Sequence, residues 1–269
     1  MSTTPRFKKA HVILLTGSIL LFSVSVFAAK GNYYLGAEYG ESTAKLSSSN
    51  PEISYTNGTT PVSTFTDAYP LNKTTSAKGL LSLKGGYEFL GAGWRPAIAV
   101  GLGFYTTPTS YKYTGQVNET VPGEAAETLY NYQFNVSSKL LMAETKFTWN
   151  LPHHIMPFVE LGLGSAFNDM SAYSETAANS SGYVTLPGFQ SKNNTNFAYQ
   201  FGAGVGYGFN FKNFSANNDS FQHERISVGY RIANLGKASF NTRGAEYPYA
   251  LKMGTLSTSE IYLNFTHLI

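Results

Sequence analysis

The chain has 269 residues, with 19 Lys+Arg, 16 Asp+Glu and no cysteine. Three of those cations, Arg6, Lys8 and Lys9, precede residue 30, where no acid occurs, leaving 16 charges of each sign in the remainder. A balanced chain without a Lys/Arg cluster lacks the electrostatic footprint of a nucleic-acid binder, and a chain without thiols cannot rely on disulfides.

Residues 1–29 read as a cleavable export signal. Arg6, Lys8 and Lys9 form a basic start, Val12 to Phe27 an apolar core interrupted by Thr16, Gly17, Ser18, Ser23 and Ser25, and Val26-Phe27-Ala28 a small-residue cleavage site. The apolar run is too short and too polar for a membrane-crossing helix, and no second candidate follows. Residues 30–269 then form one domain. Its 15% aromatic content and 26 glycines suit a β-rich chain.

Eight strands are predicted. Tyr33 to Gly40 places Tyr33, Leu35, Ala37 and Tyr39 on one face and Tyr34, Gly36 and Glu38 on the other. Gly79 to Phe89 sets Leu81, Leu83, Gly85, Tyr87 and Phe89 against Ser82, Lys84, Gly86 and Glu88, and Arg95 to Tyr105 follows a tight Gly91-Ala92-Gly93 turn. The fourth strand, Tyr130 to Trp149, loses its alternation near Ser137-Ser138, which predicts a β-bulge there. The fifth begins at Pro157 and repeats a pattern of the third: Pro96, Gly101 and Gly103 match Pro157, Gly162 and Gly164, with an echo at Gly202, Gly204 and Gly206. These glycines lie in strand-period segments with no following helix or Lys-Ser/Thr. They read as an inward face left small for neighbouring side chains, not as a phosphate cradle.

The sixth strand, Phe197 to Phe211, is the most informative. Its odd positions are Phe197, Tyr199, Phe201, Ala203, Val205, Tyr207, Phe209 and Phe211; its even positions are Ala198, Gln200, four glycines and Asn210. An aromatic-ended apolar face opposite a nearly bare one matches a strand facing lipid outward and a narrow bore inward. Glu224 to Ala233 turns Ile226, Val228, Tyr230 and Ile232 outward and Arg225, Ser227, Gly229 and Arg231 inward, and Ile261 to Ile269 closes the set. Predicted connections alternate in length. Residues 91–93, 150–154 and 212–223 are short turns, while 41–77, 106–127, 169–194 and 241–256 are long, polar loops.

The export signal, the alternating strands, the loop asymmetry and the final strand resemble the small eight-stranded outer-membrane barrels of the OmpA transmembrane and opacity-protein type. The resemblance implies an all-β, eight-stranded antiparallel up-and-down transmembrane barrel in the outer membrane. It also implies lipid and lipopolysaccharide around the barrel and the barrel-assembly machinery as a partner. The chain departs from that pattern in ending His267-Leu268-Ile269, where such barrels commonly finish on Phe. No second periplasmic domain is expected after Ile269.

No catalytic, cofactor or metal site is expected. His153, His154 and His223 fall in predicted periplasmic turns and His267 near the end, all away from the outer rim, and adjacent histidines without Cys or carboxylate companions are a weak metal signal. The candidate site is an inward charge network, with Glu38, Glu88, Glu144, Glu160 and Glu260 against Lys84, Lys146, Arg225 and Arg231. Near balance of sign predicts a salt-bridged plug, whereas an ion path would be lined by one sign. Ile261, Leu263, Phe265 and Ile269 are the expected lipid-facing residues of a C-terminal insertion strand. The expected role is structural or surface-interacting, through adhesion or host contact by a monomer's long loops. A small-solute or ion pore is the alternative, followed by an outer-membrane enzyme.

Overall fold

The computed structural model describes residues 31–47, 50–56, 64–74, 77–91, 94–178, 188–209, 224–244 and 248–269. The expected export segment and the expected turn at 212–223, with His223, lie outside them. Among these residues twelve strands are formed: β1 (Gly31–Leu46), β2 (Glu52–Thr56), β3 (Thr64–Ala68), β4 (Leu71–Thr74), β5 (Lys78–Phe89), β6 (Ala97–Thr106), β7 (Tyr111–Thr120), β8 (Glu127–Thr148), β9 (Ile155–Ala177), β10 (Lys192–Phe209), β11 (Glu224–Thr242) and β12 (Ala250–Leu268). Eight of them close a ring in the order β1, β5, β6, β8, β9, β10, β11, β12, each antiparallel to its neighbours. Closure is made by the first and last strands, from Tyr34 opposite Leu268 to Leu46 opposite Leu256. Pairing β1 with β12 removes both free edges, the condition for a sheet in lipid.

Gly31 and Leu268 lie at one end of the barrel, together with the β5–β6 and β8–β9 connections. Around the ring near that end, the outward residues are apolar. They include Tyr33, Leu35 and Tyr39 of β1, Leu83 of β5, Leu102 of β6, Leu163 of β9, Phe201 of β10, Val228 of β11 and Leu263 of β12, all exposed. Exposed aromatics mark the rims of this belt, with Tyr33, Phe89 and Tyr207 at the terminal end and Phe104, Phe167 and Phe197 at the other. This is the exterior of a lipid-embedded barrel with two aromatic girdles.

The strands continue far beyond the belt. β8 has 22 residues and β9 has 23, against the roughly 9 to 11 a tilted strand needs to cross lipid. The described residues of the expected loops at 41–77, 106–127, 169–194 and 241–256 are therefore largely strand. Residues 111–120 form β7 and pair with β8, 52–56 and 64–68 form a hairpin whose second strand pairs with β7, and the last outer connection shrinks to residues 243–249. That connection is no longer than residues 90–96 between β5 and β6 at the terminal end, so the length alternation inferred from sequence does not hold in full.

Above the belt the barrel inverts its polarity. Tyr132, Phe134, Val136 and Leu140 of β8, Met170 and Tyr173 of β9, Leu235 and Phe240 of β11, and Leu251, Met253 and Leu256 of β12 pack inward with Tyr111 and Tyr113 of β7 into one buried apolar core. The outward positions there are polar, such as Gln133, Asn135 and Lys139. A segment in water must bury its apolar groups, whereas one in lipid must expose them. One strand thus carries both patterns. This explains the alternation expected to slip at Ser137-Ser138: burial in β8 continues without a break through Phe134, Val136, Ser138, Leu140 and Met142, but the apolar set changes face. The predicted bulge in β8 is not there. The irregularity is in the neighbouring chain, where residues 107–110 stand opposite only Ser137 and Ser138, between Thr106–Lys139 and Tyr111–Val136.

Candidate functional site

Inside the belt, the inward residues form a polar stack. β11 carries Arg231, which is completely buried, at the centre. Its guanidinium lies 3.2 Å from Glu38 of β1, 3.3 Å from Glu160 of β9 and 2.7 Å from Glu260 of β12. Lys84 of β5 reaches two of the same carboxylates, 2.6 Å from Glu38 and 3.2 Å from Glu160, and lies 3.5 Å from Glu144 of β8. Two cations thus share Glu38 and Glu160, and with Glu144 and Glu260 these ion pairs tie six strands together across the bore.

Neutral groups complete the stack. Tyr105 of β6 and Tyr262 of β12 sandwich the Arg231 guanidinium, at 4.3 and 4.7 Å from the ring centres. Their hydroxyls donate to carboxylates, Tyr262 to Glu160 at 2.7 Å and Tyr105 to Glu144, and Gln200 of β10 also donates to Glu144. Ser82 donates to Glu38 at 2.9 Å, and Ser42 and Thr258 donate to Glu260 at 3.3 and 3.0 Å. Charges held away from water persist only when paired and hydrogen-bonded; every charge of this set is paired, and Arg231 Nη2 alone of its guanidinium nitrogens makes an ion-pair contact, to Glu260, without a hydrogen bond. The glycines opposite make the space: a Cβ at Gly229 would fall 2.5 Å from the Tyr262 ring, and one at Gly202 would fall 2.8 Å from Glu160 Oε1.

The nine residues singled out by alternation do not form one cluster. Glu38, Lys84, Glu144, Glu160, Arg231 and Glu260 make the central plug. Glu88 and Arg225 form a separate bidentate pair, at 2.7 and 2.5 Å, nearer the terminal end. Lys146 is apart from both, its ammonium 3.9 Å from the Phe158 ring centre, with no ion pair among the described residues. Below the plug Lys146, Arg225, Glu88 and Ser227 line a chamber of about 660 Å³, counting its mouth. Ile261, Leu263, Phe265 and Ile269 all face outward, while Glu260, Tyr262 and Asn264 between them face the bore. Alternation supplied no reason to single out Tyr105, Tyr262 or Gln200, although they share the inward parity of the charged residues. His153 and His154 are exposed in the β8–β9 turn, both with positive φ, and His267 is exposed 3.5 Å from Glu224.

A second feature lies at the far end, where sequence reasoning expected only loops. Arg243, just past β11, is held by Glu175 of β9 through both guanidinium nitrogens, one at 3.0 Å, and lies over Phe189, 4.3 Å from its ring centre. Ile53, Tyr55, Asp67, Tyr69, Phe189, Arg243 and Tyr249 line a cleft of about 330 Å³, mouth included. Burial, reinforced by Glu119, raises the Asp67 carboxyl to about 6. Burial and a 2.7 Å hydrogen bond to Glu119 likewise push the Tyr55 phenol up.

The ring also has a seam. Backbone pairing of β10 with β11 ends at Tyr199 opposite Asn234, and above it two asparagines take over. The Asn196 amide donates to the Lys237 carbonyl at 2.9 Å and its oxygen accepts from the Lys237 N–H at 3.2 Å; Asn194 exchanges a similar pair with Ser239, at 2.9 Å each way.

No family model and no curated protein matches the sequence. Solved structures do. Neisserial surface protein A is 10% identical with a TM-score of 0.42, covering 89% of this chain and 99% of that one. Ail of Yersinia pestis, solved with the heparin analogue sucrose octasulfate, is 13% identical with a TM-score of 0.36 and coverages of 88% and 99%. OprG of Pseudomonas aeruginosa is 14% identical with a TM-score of 0.38 and coverages of 90% and 97%. The superpositions are loose, and the barrel assignment rests on the closed ring and its belt.

Proposed function

We propose that this chain, a small barrel of the outer-membrane type, works at the cell surface as a folded contact platform and does not conduct. The observation that carries the reading is the pairing of a crosslinked plug in the bore with a tall, internally packed extension beyond the belt. A platform with its own apolar core presents fixed surfaces for adhesion or host contact, whereas mobile loops would have to be ordered on binding. With both barrel termini on the periplasmic side, the extension stands outside. Lys45, Lys139, Lys237 and Lys252 are exposed above the belt, a position suited to the phosphates of outer-leaflet lipopolysaccharide. The reading includes no catalytic step and no second subunit.

The test is paired. Cells displaying the protein are compared with cells displaying a variant trimmed of 52–68 for adherence to host surfaces, and the refolded protein is examined in a planar bilayer. Adherence that depends on the extension, with no steady conductance, is the expected result. The chamber below the plug favours a second reading, a gated small-solute or ion pore, which a steady unitary current would promote.

A further inference from the structure

The cleft at the far end of the barrel has an unmet need. Asp67 Oδ1 is buried and has no hydrogen-bond partner among the described residues, and Oδ2 has only a 3.5 Å contact from the Tyr69 hydroxyl. A carboxylate oxygen enclosed without a donor costs free energy, so the site is complete only when a donor enters. Arg243, the one cation among the described lining residues, cannot supply it, being committed to Glu175 and to the Tyr69 hydroxyl at 3.2 Å.

The charged groups around Asp67 come from several elements. Among the described residues, Glu119 of β7 and Glu175 of β9 add to its negative charge and Arg243 opposes it. Three carboxylates against one guanidinium, among the described residues, make a local excess of negative charge. Tyr55, Tyr69, Phe189 and Tyr249 supply ring surface on the cleft walls. A donor, a positive charge and a short apolar stem are therefore what the walls would accept.

We infer that this cleft binds a protonated alkylamine, with the ammonium donating to Asp67 Oδ1 and the stem packed among Tyr55, Tyr69 and Tyr249. This chemistry is found both in a lysine side chain and in a free polyamine. The inference deepens the surface-contact reading and rests on it for its biological setting, but binding itself can be measured in detergent whichever way the barrel faces.

The probe is n-butylammonium, titrated into the refolded full barrel at pH 7.5 and followed by NMR of the tip. Saturable binding is expected, with no matching response to neutral 1-pentanol. Asp67→Asn should weaken it about tenfold or more, as loss of a charged hydrogen bond does. Lowering the pH to 5 should weaken it too, since Asp67 is then largely protonated. Tyr249→Ala, at an exposed wall residue, should also weaken it while leaving heat-modifiable folding intact. Comparing spermidine with a Gly-Lys-Gly peptide distinguishes polyamine from protein lysine. Equal binding of 1-pentanol, undiminished binding by folded Asp67→Asn, or no saturation by n-butylammonium overturns the inference. Absence of adherence with intact amine binding would instead refute only the contact role.

Discussion

Replacing Arg231 is the most direct perturbation of the plug. Its side chain is wholly buried and reaches Glu38, Glu160 and Glu260. Arg231→Met keeps most of the stem and removes the charge, leaving three carboxylates to share Lys84, which touches only Glu38 and Glu160 of them. Breaking one buried pair by removing a partner costs about 3 to 5 kcal/mol, and here Glu260 keeps only hydroxyl donors, from Ser42 and Thr258. We therefore expect a loss of at least about 3 kcal/mol, measured as the shift in urea midpoint of the barrel refolded in lipid vesicles. The double variant Arg231→Met, Glu260→Gln should recover part of that loss, because it removes the stranded charge. The bilayer current should also rise in the single variant as water enters. A loss below about 1 kcal/mol, the value of an exposed pair, would show that the network does not hold the bore. A large current in the unmodified protein, unchanged in the variant, would refute the plug itself.

Three further outcomes are expected. Phe265→Asp puts a charge on the lipid face of the closing strand, where a buried charge costs a few kcal/mol, and the yield of heat-modifiable barrel in the membrane fraction should collapse. Asn196→Ala removes the two bonds that Asn196 makes to Lys237 across the β10–β11 seam, and should speed hydrogen exchange at the Lys237 amide while leaving the membrane belt protected. Asp67 binds its proton more tightly folded, at about 6, than in the unfolded chain at 3.8; its contribution to stability is therefore most favourable below 3.8, declines as pH rises through that window, and stays at its least favourable above 6. Urea midpoints of the extension should fall between pH 4 and 7, and Asp67→Asn should flatten that part of the profile.

Much of the membrane half was legible from residue order. Strand period is two, so Phe197 to Phe209 could present rings on one side only, and the inward parity of Glu38, Lys84, Glu160 and Arg231 followed from the same rule. The outward set Ile261, Leu263, Phe265 needed no neighbours to be recognised, because lipid imposes the same demand on every strand. The extension was misread as loop for a physical reason. Its segments 111–120 and 250–256 carry their apolar residues on the opposite face, with Lys112, Thr114, Gln116 and Lys252 outward, and bulges at Gly236 and Gly254, both with positive φ, break the count. A pattern that changes hand along one strand looks like no pattern when a single solvent is assumed. Parity told which charges pointed inward, but not their height in the bore. Only the register of the closed ring decided that Arg231 meets Glu38, Glu160 and Glu260 while Arg225 meets Glu88 alone, since stagger between strands sets which levels coincide. The distal cleft required still more: Asp67, Glu175 and Arg243 lie far apart in sequence, and the fold brings Asp67 and Arg243 to one cleft with Glu175 holding Arg243 in place.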